Sequence, residues 1–365
     1  MMIFVLYLKK AMKKHNFSAG PSILPAPVME KAANAVLELD GIGLSLIEIS
    51  HRSKEFISIM DKAQALALEL TGLSNKGYQA LFLQGGASTQ FLMTAANLMK
   101  SNAGYINTGA WSDKAIKEAK RYGEVTEVAS SKDKNYNYIP KANEIPTGLD
   151  YLHITTNNTI FGTQFHQLPL TDAPLIADMS SDIFSRTFDY SAFDLFYAGA
   201  QKNMGPAGTT LVIVKESLLE KMNENVPSML SYAVHADKGS MFNTPPVFAV
   251  YTSMLTMEWL KTQGGIEAIQ RHNEIKAKMI YDEIDRNAAF EGFAAKEDRS
   301  FMNATFNLAE GVDGTRFDEM WNAADISGLK GHRSVGGYRA SIYNALPIES
   351  AQKLVEVMQQ FEKTL

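Results

Sequence analysis

Short, largely apolar runs recur between residues 78 and 214, at 78–83, 103–106, 125–129, 151–155, 174–179, 195–198 and 209–214, and they do not alternate. A strand with one wet face alternates apolar and polar residues. Continuous runs predict strands covered on both faces, as in a mostly parallel sheet flanked by helices. The helices lie around them: residues 28–39, 56–70 and 89–99 carry apolar side chains three and four apart, with Gly41 and Gly72 as stops after the first two. The expected fold class is α/β.

Beyond residue 214 the pattern changes. Long helices are expected at 247–262 and 266–288, the second after Gly264 and Gly265, followed by strand 302–308, helix 317–324, strand 338–343 and helix 348–361. These predict a smaller C-terminal α+β domain over 266–365, beside a large domain over 28–265, with residues 12–27 as an N-terminal segment packing against the small one. A length of 365 residues suits two domains. Residues 132–149, with Pro140, Pro146 and Gly148, read as a loop.

Composition narrows the chemistry. With no cysteine, disulfides, thiolate metal sites and cysteine nucleophiles are excluded. A net charge of -5 argues against a nucleic-acid partner, which usually meets a basic face. Residues 2–8 are apolar but too few to span a bilayer, and Lys9 and Lys10 follow the apolar stretch, whereas a secretory signal places its charges before it. Residues 1–11 read as a disordered or cloning-related extension, with Met12 as an alternative start, no membrane partner and the cytoplasm as default location. Zinc-hydrolase, P-loop and nucleophile-elbow motifs are missing and the histidines are scattered, so no metal is expected.

Three stretches carry positive chemistry. In Leu83-Gln-Gly-Gly-Ala-Ser-Thr89, glycines after a strand lead into a helix whose first N–H groups and dipole favour a phosphate. The same pattern also makes an ordinary strand-to-helix turn with Ser88 as N-cap. Asp178 ends an apolar strand, where ligands of parallel sheets gather, although a lone aspartate there is often a helix cap. Lys202 follows another strand among small residues, in a place that suits a Schiff-base lysine, whereas an isolated turn lysine is usually solvated. Together they supply what pyridoxal phosphate needs: a phosphate cup, an acid for the pyridine nitrogen and a lysine.

Four motifs carry a resemblance: NFSAGP at 16–21, SHRSKEF at 50–56, AGAQKNMGPAG at 198–208 and GHRSVGGYRASIYNA at 331–345. From about Asn16 to the C-terminus the chain resembles the phosphoserine aminotransferases, fold-type I, class V enzymes that use pyridoxal 5'-phosphate. The resemblance implies Lys202 as Schiff-base lysine and proton shuttle, and Asp178 as partner of the pyridine nitrogen. It implies Trp111 stacked on the ring, Thr159 on its phenolic oxygen, and Ala87, Ser88 and Gln201 at the cofactor phosphate. Asn243 and Thr244 would reach the phosphate of a neighbouring subunit's cofactor, which makes a homodimer. Arg339 would hold the substrate α-carboxylate. His51 and Arg52, crossing from the partner, would join His332 and Arg333 around the substrate phosphate or the side-chain carboxylate of glutamate.

Two positions depart from some relatives. Ser88 stands where an arginine occurs, so one contact to the substrate phosphate is either missing or made by another residue, and Ala19 stands where a serine occurs, which removes a hydroxyl contact. The reaction implied is transfer of the amino group of L-glutamate to 3-phosphohydroxypyruvate in serine biosynthesis, with a related phosphorylated acceptor in pyridoxine biosynthesis as a family-level extension. The alternatives are another class V transaminase acting on an unphosphorylated acid, and a non-catalytic regulator that keeps the fold.

Overall fold

The computed structural model of the chain describes residues 14–142 and 144–365. The expectations for residues 1–11 and for Met12 as a start lie outside the described residues. In chain order come helices α1 (Ala26–Leu37) and α2 (Lys54–Leu70), then strand β1 (Tyr78–Leu83), α3 (Gly86–Leu98), β2 (Asn102–Asn107), α4 (Ala110–Ala119) and β3 (Glu124–Ser130). Four more strands follow: β4 (Leu152–Thr155), β5 (Leu175–Asp178), β6 (Leu195–Gly199) and β7 (Thr210–Lys215). Helices α5 (Val247–Thr262) and α6 (Gly265–Arg286) lead to β8 (Phe290–Gly292), β9 (Asn303–Leu308), α7 (Gly314–Ala323), β10 (Tyr338–Ser341) and α8 (Ile348–Glu362).

The first seven strands form one sheet in the order β1-β7-β6-β5-β4-β2-β3. Strand β7 runs antiparallel to β1 and β6, while every other pairing is parallel, so β1 to β6 point the same way. The central strands β4, β5 and β6 are buried at every position. Successive side chains divide between two cores, as strand geometry requires. Phe196, Ala177 and Leu211 pack with α1, α2 and α5 on one face, and Tyr197, Ile176 and Val212 pack with α3 and α4 on the other. A fully buried ring such as Phe196 contributes about 1.5–3 kcal/mol.

Helix α2 illustrates how the sequence sets an element. Ser53 accepts from Phe56 N–H at 3.3 Å as N-cap, and Phe56, Ile59, Met60, Ala63, Leu66 and Ala67 form the buried stripe. The second unit is the antiparallel sheet β8-β9-β10 covered by α7, α8 and the second half of α6. Its core is aromatic: Phe290, Phe306, Phe317, Tyr338 and Phe361 pack together. Phe17 is buried in this core, and His15–Asn16 pairs in parallel with Ile326–Ser327. Helix α6 starts in the first core at Ile269 and ends in the second at Ile284.

Three differences from the sequence reading stand out. Helix α3 begins at Gly86 rather than residue 89, because the glycine turn leads straight into helix. Helix α4 was not expected, although its buried residues Ser112, Ala115, Ile116 and Ala119 stand at helical spacing. Strand β8, three residues long, gives no periodic signal.

Candidate active site

Several parallel strands end on one edge of the sheet, and the chain turns there into the residues singled out above. Asp178 closes β5, Lys202 follows β6, the glycine pair follows β1, and Trp111 follows β2 at the start of α4. Long-range contacts then bring these turns together.

Lys202 is clamped through its backbone. Ala200 N–H donates to Thr209 O at 3.1 Å, Ser22 N–H donates to Gln201 O at 3.0 Å, and Ser22 Oγ donates to Lys202 O. Asn344, from the second unit, donates its N–H to Asn203 Oδ1 at 3.0 Å. The Lys202 ammonium lies 5.4 Å from the centroid of the Trp111 ring. Trp111 Nε1 donates to Thr159 Oγ1 at 3.1 Å, and Arg339 Nη1 donates to Thr159 O at 2.9 Å. Lys202, Trp111, Thr159 and Arg339 therefore form one chain of contacts from four distant segments.

Asp178 is 5% exposed and accepts from Ser180 N–H at 2.9 Å. Burial pushes its pKa up, Lys202 and Ser180 oppose this, and Asp182 adds to it. Loss of water pulls Lys202 below the usual lysine range, Asp178 opposes, and Arg339 pulls it further down.

At the turn into α3, Gly85 has φ 95 and Gly86 φ 66, and no side chain caps the first turn, which contains Ala87 and Ser88. A Cβ on Gly86 would meet nothing within 4 Å, so the space at the helix end is open. Gln201 lies against Gly199, where an added Cβ would stand 2.8 Å from its Oε1. Arg339 Nε is buried without a hydrogen-bond partner. An uncapped helix end, a buried carboxylate beside a partly desolvated lysine, an indole and an arginine with an unsatisfied donor fit pyridoxal phosphate and a carboxylate substrate.

The sequence pattern described as Aminotransferase class-V matches residues 14–354. The chain belongs to the class-V aminotransferases. It is 62% identical to phosphoserine aminotransferase of Flavobacterium johnsoniae over 353 residues, 96% of this chain and 99% of the relative. Among solved structures it is similar to phosphoserine aminotransferase from Bacillus circulans subsp. alkalophilus, at 43% identity and TM-score 0.94, covering 97% of this chain and 99% of that one. A PLP-bound phosphoserine aminotransferase from Trichomonas vaginalis is 34% identical with TM-score 0.89, covering 95% and 100%.

Other residues expected from the class-V resemblance have contacts of their own within one chain. His51 and Arg52 occupy the exposed turn before α2 and touch each other, Arg52 Nε to His51 Nε2 at 3.4 Å. Asn243 donates to Gln84 Oε1 at 3.1 Å, and Gln84 Nε2 donates to Thr244 O at 2.9 Å, so this pair lies at the glycine turn of its own chain. His332 and Arg333 lie in the loop before β10. Partial burial and then the charges of Arg339, Arg333 and Lys114 hold the His332 pKa below the usual histidine range.

The sequence reading passed over Asp182. It is 1% exposed and accepts from Thr156 Oγ1, from Gln164 Nε2 at 3.2 Å and from Arg186 Nη2 at 3.4 Å. Thr156 also donates its N–H to Asp178 O at 3.0 Å, so this second acid braces the strand end that presents the first. The only signal was a carboxylate four residues after Asp178. Among the described residues no helix is long and apolar enough to cross a membrane.

Proposed function

We propose that this chain is a pyridoxal-phosphate aminotransferase that moves the amino group of L-glutamate to 3-phosphohydroxypyruvate, giving O-phospho-L-serine and 2-oxoglutarate for serine biosynthesis in the cytoplasm. The observation that carries the reading is the contact chain Lys202–Trp111–Thr159–Arg339, with buried Asp178 close enough to shift the lysine's pKa. The names of the full-length relatives support the substrate.

Pyridoxal phosphate, when bound, supplies an electron-poor ring that takes up the negative charge developing at the substrate Cα. The residues of the chain do the rest. Asp178 keeps a proton on the pyridine nitrogen, a role that its burial and lack of competing water strengthen. The Lys202 amine, with a pKa lowered by burial, would accept the proton from the substrate Cα and deliver it to the cofactor carbon C4′. Trp111 and Thr159 orient the ring, while the first N–H groups of α3, at Ala87 and Ser88, and Gln201 hold the phosphate. Arg339 takes the α-carboxylate, for which its unpartnered Nε is free. His332 and Arg333 take the distal anion.

His51, Arg52, Asn243 and Thr244 complete the site in a homodimer. Supporting this, Ile42, Leu44 and Ile47, just ahead of His51, are 39%, 52% and 62% exposed and suit burial against a second copy. The test is the visible absorption of the holoenzyme, titrated with L-glutamate and then with keto acids. Glutamate should bleach the cofactor band and 3-phosphohydroxypyruvate should restore it where pyruvate does not. Equal recovery with pyruvate would favour an unphosphorylated acceptor, and no response to glutamate would leave only a non-catalytic fold.

A further inference from the structure

Asn203, the residue after Lys202, is buried at the junction of the two units. Its Nδ2 donates to Ser181 O at 3.2 Å, three residues beyond Asp178, and its Oδ1 accepts from Asn344 N–H at 3.0 Å. One end of the amide therefore holds the turn after β5 and the other holds the second unit. Only one orientation of the amide satisfies both partners, since a donor must face Ser181 O and an acceptor must face the Asn344 N–H. The Asp178 turn is itself fixed. Ser180 N–H donates to Asp178 Oδ1 at 2.9 Å, Ser180 Oγ accepts from Gly199 N–H at 3.1 Å, and Ser181 Oγ donates to Asn157 O at 2.9 Å. Ser22 holds the lysine turn from the N-terminal side, at Gln201 O and Lys202 O, and Asn203 anchors it from the other.

We infer that Asn203 is a positioning residue that sets the reach of the Lys202 amine by locking the lysine turn to the Asp178 turn. The inference rests on the proposed function, in which that amine takes the proton from the substrate Cα, and deepens it. Proton transfer needs the two heavy atoms within about 2.6–3.2 Å. The lysine amine stands at the end of a flexible stem, so a small rotation of the turn moves it further than the backbone moves. Asn344 supplies a matched comparison. Its Oδ1 accepts from Asn273 Nδ2 at 2.8 Å and its Nδ2 donates to Phe184 O at 3.1 Å, while it holds Asn203 through its backbone alone. The two asparagines are 4% and 6% exposed, and each side chain uses one donor and one acceptor. Loss of either amide costs the fold a similar amount, but only that of Asn203 releases Lys202.

The test compares the Asn203→Ala and Asn344→Ala holoenzymes. Chemical denaturation should show similar losses of midpoint. In Asn203→Ala, kcat should fall roughly tenfold with the KM for glutamate within about twofold, less than the on the order of 100-fold that a full ångström costs, because Ser22 still holds Lys202 O. The isotope effect on kcat with Cα-deuterated glutamate should rise above that of wild type, and the visible circular dichroism of the cofactor band should weaken. Asn344→Ala should keep wild-type values of all three, since Lys276 still holds Tyr343 O and Leu346 O on either side of it. If Asn203→Ala does not fold, Asn203→Ser, which keeps one polar atom but is too short to reach both partners, carries the same comparison. Equal effects of the two positions on kcat, isotope effect and dichroism, or a wild-type isotope effect and dichroism in the Asn203 variant, overturn the inference while the aminotransferase reading stands. Wild type whose cofactor band does not respond to glutamate overturns both.

Discussion

Gly331 opens the loop that carries His332 and Arg333, and its replacement by alanine separates binding geometry from fold stability. Its N–H donates to Gly337 O at 2.9 Å, which pinches the loop shut. An alanine Cβ would stand 1.9 Å from Gly336 O, with Gly336 C and Gly337 C at 2.9 and 3.0 Å. All three are backbone atoms, so no side-chain rotation relieves the clash. To reach even 3.0 Å the carbonyl must withdraw by about 1.1 Å. Keeping the pinch would cost about 1–3 kcal/mol of overpacking. Opening it costs one hydrogen bond, about 1 kcal/mol, and Arg333, Ser334 and Gly336 are exposed, so the loop is free to move. The loop should open. His332 and Arg333 then shift by about an ångström, whereas Arg339 stays in β10, and misplacement on that scale costs on the order of 100-fold. Gly331→Ala should lower kcat/KM for 3-phosphohydroxypyruvate by about 100-fold, while the denaturation midpoint reports a loss of about 1 kcal/mol. Steady-state kinetics beside chemical denaturation decide it. A folded variant with kcat/KM within about threefold of wild type would refute the reasoning.

Two further outcomes follow from buried charges. Lys276 is fully buried, donates to Ile342 O, Tyr343 O and Leu346 O at 2.9, 2.8 and 3.1 Å, and is pulled down to about 7 by burial. The unfolded lysine titrates near ~10.4, so between about pH 7 and 10 the unfolded chain binds more protons and folding gains stability as pH rises. Wild type should therefore gain on Lys276→Met over that window, by at most about 1.4 kcal/mol per pH unit, in denaturation series; a flat difference would mean that the three carbonyls keep the ammonium charged. Asp182→Asn leaves Arg186, 8% exposed, without its carboxylate and should destabilise the chain by about 3 kcal/mol. A loss under about 1 kcal/mol would show that Phe165 O, at 2.6 Å, and the Phe188 ring, at 4.0 Å, hold the guanidinium unaided.

Features whose cause is local are legible in the residues themselves. Strands buried on both faces are built mostly from apolar residues, so β1 and β4 to β7 stand in the residues as largely apolar runs. The turn after a strand, a glycine pair, a lysine among small residues and an aspartate at a strand end are likewise written in a few neighbouring positions, which is why Gly85, Asp178 and Lys202 could be read directly. What depends on distant partners emerges with the folded chain. The reversal of β7 comes from its pairing with both β1 and β6. Helix α4 finds its place by laying Ala115, Ile116 and Ala119 against α3 and the sheet. Asp182 matters because Thr156 joins it to Asp178. A charged side chain carries no periodic signal, and its role is set by which other charges the folded chain brings within a few ångströms.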